Sequence, residues 1–217
     1  MPSPDQISTV ITPAASNWLV SLDDALDELG LTSDGGTQDT QVGRMIGRVS
    51  AAISTYCDRV FVRQSYRDQF RYACFSSGVP LILSQAPIAV DEDGDLVLIA
   101  SEDGTAVAAA EWEVNRTAGM LYRLDSAAGA AAWSGSLIVV DYDAGFDLIP
   151  EDVQAAALEW MGVRWATRGR DPALRSLSIP DVVAETYFDP AAASSGAAAG
   201  MPSTIRNTLD QYRRISI

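Results

Sequence analysis

The amino-acid sequence predicts an α+β fold: a small helical bundle, an antiparallel β module inserted into it, and an extended C-terminal arm. Three observations carry this. Apolar residues recur at helical spacing on both sides of the middle of the chain, over residues 42–60 and again over 153–167. Between them, from 61 to 147, the period changes to two. Beyond residue 171 periodicity fades into a run of alanine, serine and glycine at 191–200. The expected division is a flexible N-terminal segment at 1–16, a helical body at 17–61 and 148–171, a β module at 62–147 and an arm at 172–217.

Residues 1–16 contain Pro2, Pro4 and Pro13 without any periodic pattern and read as a flexible lead-in. Ser21 is placed to cap a first helix, with Asp23 and Asp24 at the positive end of its dipole and Gly30 as its stop. Leu22, Ala25, Leu26 and Leu29 form its apolar face. In the second helix Val42, Ile46, Val49, Ile53, Tyr56 and Val60 make one continuous stripe, and Arg44, Arg48 and Arg59 lie off it. Gly43 and Gly47 each cost this helix about 1 kcal/mol relative to alanine. They either mark the close approach of another backbone or are merely tolerated.

In the β module, Tyr66, Asp68, Phe70 and Tyr72 alternate with Arg67, Gln69 and Arg71, the pattern of a strand with one wet face. Further short strands are expected at 81–83, 96–100, 107–114, 120–124 and 137–142, with Asp103-Gly104 as a hairpin signal. Pro150, Glu151 and Asp152 open a third helix that carries Val153, Ala156, Ala157, Trp160 and Val163 on one face. Arg164, Arg168 and Arg170 sit at its negative pole. The final stretch places Ile205, Leu209 and Tyr212 on one face, flanked by Arg206, Arg213 and Arg214.

Composition removes much enzymology. There are no histidines, so imidazole-based nucleophile activation and His-ligated zinc are excluded. Cys57 and Cys74 cannot complete a four-thiolate site, and they are expected to remain reduced thiols. Every basic residue is arginine, and the formal net charge is −14, from 15 basic and 29 acidic residues. Such a chain is repelled by nucleic-acid phosphates and anionic membranes over most of its surface. No secretory signal or membrane-spanning run is expected.

No motif supplies chemistry. Residues 91–102 mimic a calcium loop but carry Leu96 where the sharp turn needs glycine, and the flanks read as strands. Without lysine no phosphate-binding P-loop is possible, and carboxylate pairs suited to a hydrolase have no supporting spacing. Trp112, Trp133, Trp160 and Trp165 read as packing residues rather than a stacking platform. No cofactor or metal is expected.

One arrangement is distinctive. Residues 138–150 read Ile-Val-Val-Asp-Tyr-Asp-Ala-Gly-Phe-Asp-Leu-Ile-Pro and are followed by the helical Val153-Gln154-Ala155-Ala156-Ala157-Leu158 and by Arg168-Gly169. Together with residues 19–29, Tyr56-Cys57-Asp58-Arg59, residues 81–87 and the closing Ile205, Leu209, Tyr212-Arg213-Arg214, this order resembles the head–tail connector (adaptor) proteins of long-tailed phages. Gene transfer agents use the same part. The resemblance covers about residues 17–171. It implies a non-enzymatic virion protein made in the bacterial cytoplasm. Such proteins form a homo-oligomeric ring, commonly a dodecamer, with the portal protein above, a stopper or tail protein below, and DNA passing through the lumen without specific binding.

Under that resemblance the closing Ile205, Arg206, Leu209, Tyr212, Arg213 and Arg214 would dock on the portal. Arg44, Arg48, Arg164, Arg168 and Arg170 would meet acids of a neighbouring subunit or pair within their own. Asp23, Asp27 and Glu28 are candidates for the channel wall. The alternatives are another neck or tail component, such as a tail terminator, and more remotely a carboxylate-based hydrolase.

Overall fold

The computed structural model describes residues 5–71, 78–91, 94, 96–168, 176–179, 183–186 and 200–214. The fold is α+β, and the chain divides into two units: residues 1–16 with 60–148, and residues 17–59 with 149–217.

The first unit is built on antiparallel sheets. Strands β1 (Asp5–Thr12), β2 (Gln64–Arg71), β3 (Leu81–Ile82), β4 (Leu98–Glu102), β5 (Thr105–Ala106), β6 (Trp112–Asn115), β7 (Met120–Arg123) and β8 (Leu137–Ala144) follow in chain order. Five of them form one sheet in the order β1-β2-β8-β4-β5, and three form a second in the order β3-β7-β6. Strict alternation along β8 turns Ile138, Val140, Tyr142 and Ala144 inward, where they join Tyr66, Phe70, Leu81, Leu121 and Trp133 in one core. The outward Asp141 stands opposite Arg67 of β2 and binds its guanidinium through two contacts of 2.7 Å. The β4–β5 hairpin turns on Asp103-Gly104, both at positive φ, as a type I′ turn requires. The expected strand at 107–114 is interrupted by a 3-10 turn at Ala109–Glu111, and its second half crosses to the smaller sheet as β6.

The N-terminal segment is not a loose lead-in. Residues 5–12 form the edge strand β1, paired with β2 from Asp5 opposite Arg71 to Thr12 opposite Ser65. Every side chain of this strand is exposed. Main-chain hydrogen bonds, with side-chain bonds from Gln6 and Ser8, hold it rather than burial, so its sequence carries no apolar alternation.

The second unit is helical: α1 (Leu22–Glu28), α2 (Thr37–Cys57), α3 (Glu151–Ala166) and α4 (Ser203–Leu209), with a short hairpin of β9 (Ser176–Ile179) and β10 (Val183–Thr186). Ser21 caps α1 by accepting a hydrogen bond from the Asp24 amide. Asp34 serves α2 likewise, accepting from the amides of Gln38 at 3.0 Å and Gly36 at 2.8 Å, and these bonds, that from Gln38 first, lower its pKa. The stripe Val42, Ile46, Val49 and Ile53 is fully buried, and α2 packs on α3, whose buried face is Val153, Ala156, Ala157, Trp160 and Met161. Gly43 admits a side chain, not a backbone: a Cβ there would lie 3.1 Å from the Trp18 ring.

Two strands and a docked helix lie where the sequence predicts an extended arm. Helix α4 packs against α3 and buries Met201, Ile205 and Leu209 completely. The 3-10 turn Asp210–Tyr212 is pinned by polar contacts to the same unit: Tyr212 and Gln211 donate to Asp152 at 2.7 and 2.6 Å, and Tyr56 donates to Asp210 at 2.6 Å. The alanine-rich run at 191–199 lies outside the described residues.

Candidate functional site

The strongest surface features both belong to the helical unit. Arg44 and Arg48 are one turn apart on α2, as Arg164 and Arg168 are at the end of α3. Packing of α2 on α3 gathers all four, with Gln41, Met45 and Trp165, around an open groove of about 470 Å³. The Arg164 guanidinium lies 4.5 Å from the Trp160 ring centroid and that of Arg168 lies 3.8 Å from Trp165, while Arg168 also donates to Gln41 at 3.0 Å. Burial, followed by the nearby charge of Arg48, lowers the pKa of Arg164. It remains a cation at neutral pH, because guanidinium starts so high.

These arginines differ from those of the β unit. Arg63 binds Asp143 through two nitrogens at 3.0 and 3.1 Å, Arg67 pairs with Asp141, and Arg123 reaches Glu111 at 3.3 Å. Among the described residues, no carboxylate lies within ion-pair distance of Arg44, Arg48 or Arg164. Like charges one helical turn apart each cost about 0.2–0.5 kcal/mol, and among the described residues no carboxylate offsets that cost at Arg44, Arg48 or Arg164.

The other end of α3 carries the opposite sign. Asp24, Asp27 and Glu28 of α1, with Glu151 and Gln154 of α3, line a shallow groove of about 520 Å³. Asp27 and Glu28 occupy the last turn of α1, which has no basic residue, so they oppose the helix dipole instead of satisfying it. Asp23 is exposed on α1 but does not line this groove.

The structure therefore brings Arg44, Arg48, Arg164 and Arg168 together, as it does Asp27 and Glu28; Arg170 lies outside the described residues. It removes the apolar anchors expected of the C-terminal arm. Ile205 and Leu209 are buried in their own subunit, the Tyr212 hydroxyl is taken by Asp152, and the Arg214 amide donates to the Cys57 carbonyl at 2.8 Å. Arg213 lies over the Tyr56 ring, and Arg206 is half-buried on α4. The apolar face of α4 already has its partner in α3. Glu151 is the residue that sequence reasoning missed: a first-turn acid on α3 reads as dipole compensation until α1 is placed beside it.

Among the described residues no cluster of histidine, cysteine, aspartate or glutamate could hold a metal ion, and no helix is long and apolar enough to cross a membrane. Trp133 and Trp160 are buried in their respective cores, as expected of packing residues.

No protein-family model matches the chain, and no curated protein matches it in sequence. Solved structures do share its fold. The chain is similar to one from the virion of a native gene transfer agent particle, with a TM-score of 0.55 and 15% identity. It is also similar to chains from the neck of the empty particle, computed with C6 symmetry (TM-score 0.56, 15% identity), and of the native particle, computed with C12 symmetry (TM-score 0.54, 16% identity). Each match covers 97% of this chain and 97% of the other. At such identity the likeness is one of fold.

Proposed function

We propose that this protein is a structural, non-enzymatic component of the neck of a phage-like particle, a head–tail connector that forms a ring between portal and tail. One observation carries the reading: the fold matches chains from gene transfer agent necks along 97% of both partners, which takes in both units together. Charge supports it independently. A ring multiplies the net charge of −14 by its subunit number, and a strongly acidic ring lets DNA slide through its lumen without being held. Portal protein above and a stopper or tail protein below are its proposed partners, and exposed acids such as Asp23 are proposed for the channel wall.

The test is direct. Cryo-electron microscopy of particles from the producing cells is expected to place several copies of this chain in a ring at the neck, and deletion of its gene is expected to leave filled heads without tails. A single copy per particle, or purified particles that lack the protein, would overturn the reading.

A further inference from the structure

We propose that the arginine groove of one copy receives the acidic groove of a second copy, so that successive subunits join head to tail through Arg44, Arg48, Arg164 and Arg168 on one side and Asp24, Asp27, Glu28 and Glu151 on the other. This deepens the ring reading above and rests on it for the closure of the assembly. Three observations point to a second copy as the occupant. The two grooves match in charge, four cations against four carboxylates. They flank opposite ends of one helix: Glu151 and Arg164 are 13 residues apart on α3, roughly 20 Å along its axis at 1.5 Å per residue. A contact between different patches of identical subunits is heterologous, and it propagates from copy to copy until it closes. Both grooves also carry charges without a favourable partner among the described residues: no carboxylate lies within ion-pair distance of the four cations there, and Asp27 and Glu28 oppose the dipole of α1.

The guanidinium groups are suited to the task. Two of the four are held over indole rings, so their orientation is fixed before a carboxylate arrives, and bidentate pairing then costs less side-chain freedom. Met45 and Trp165 line the same groove and add apolar surface beside the cations, which would help shield the pairs from water once a second copy covers them.

The experiment is a charge-reversal rescue read by sedimentation velocity and native mass spectrometry on the full chain. The variants are Arg44→Glu with Arg48→Glu, and Asp27→Arg with Glu28→Arg; all four positions are exposed, so folding should survive, and circular dichroism checks this. Wild type is expected to self-associate, and more weakly as salt rises from about 0.05 to about 0.5 M. Each variant alone should associate at least about tenfold more weakly, and an equimolar mixture should recover association, because each reversed groove meets a complementary one. Three results would each overturn the proposal: a wild type that stays monomeric at its highest soluble concentration, variants that associate as well as wild type, or a mixture that fails to recover. Binding of a DNA duplex that is lost in the arginine variant, with self-association untouched, would assign the groove to phosphate instead. The two readings fail separately. Normal rings from both variants within particle necks would sink the groove pairing alone, whereas paired grooves in a protein absent from particles would sink the neck reading alone.

Discussion

The Tyr142 hydroxyl donates a 2.9 Å hydrogen bond to the Asp68 carboxylate inside the β unit, where both residues are buried. Asp68 also accepts from the Ser84 backbone amide at 2.6 Å, the Ser84 hydroxyl at 2.8 Å and the Gln6 side-chain Nε2 at 3.3 Å. This side chain, with no cation in ion-pair distance among the described residues, is thus held by donors from β1, β8 and the chain after β3. Replacing Asp68 by alanine strands several of these donors and is expected to cost about 3 kcal/mol or more, whereas Tyr142→Phe should cost about 1–2 kcal/mol. Urea denaturation measures both, and equal losses would contradict this hierarchy.

Burial pushes the Tyr66 phenol up to about 12 and raises that of Tyr142 as well, with the Asp68 charge as a second cause for Tyr142. Because both folded values lie above the unfolded phenol value of about 10, their contribution to stability is intact below that pH and is lost as pH rises toward the folded values. Unfolding free energy is therefore expected to fall between about pH 10 and about pH 12. Denaturant titrations across that window check it, and Tyr66→Phe should blunt the slope.

Burial likewise raises the Cys57 thiol to about 12. In a Cys74→Ser variant, Cys57 is expected to resist a disulfide reagent at neutral pH and to react fully once the chain is unfolded. Rapid labelling of the folded variant would contradict the packing of the α2 C-terminus.

Gly43 and Gly47 separate two effects that look identical in sequence. An added Cβ at Gly47 would lie 3.6 Å from the Trp18 indole nitrogen, an ordinary contact, but one at Gly43 would lie 3.1 Å from a ring carbon. Gly47→Ala is expected to stabilise by up to about 1 kcal/mol through helix propensity, while Gly43→Ala loses that gain by displacing Trp18. Thermal melts of the pair decide it through their relative order.

Truncation after Gly200 tests the docking of α4. Removing Ile205 and Leu209 from a packed interface should destabilise the helical unit strongly, since either residue mutated to alanine is expected to cost about 2–5 kcal/mol. An unchanged melt of the truncated chain would instead favour a free arm.

The sequence by itself determined the α+β class, the two long helices and their buried stripes, the alternation of β2 and the hairpin at Asp103-Gly104. Each is a local pattern set by backbone geometry, a period of 3.6 or 2 or a pair of residues tolerant of positive φ, so a short window contains the whole signal. Arg44 and Arg48 were legible as cations off the α2 stripe for the same reason. Only the tertiary structure decided that β1 joins the sheet, that Asp68, set by the alternation on the inner face of β2, finds donors around it there, and that Ile205 and Leu209 pack at home. It also decided that Arg164 lines one groove with Arg48 while Glu151 lines another with Asp27. Those outcomes depend on which distant segment supplies a hydrogen-bond edge, a donor or an apolar surface. That choice is made by long-range packing and polar satisfaction, and no local period records it.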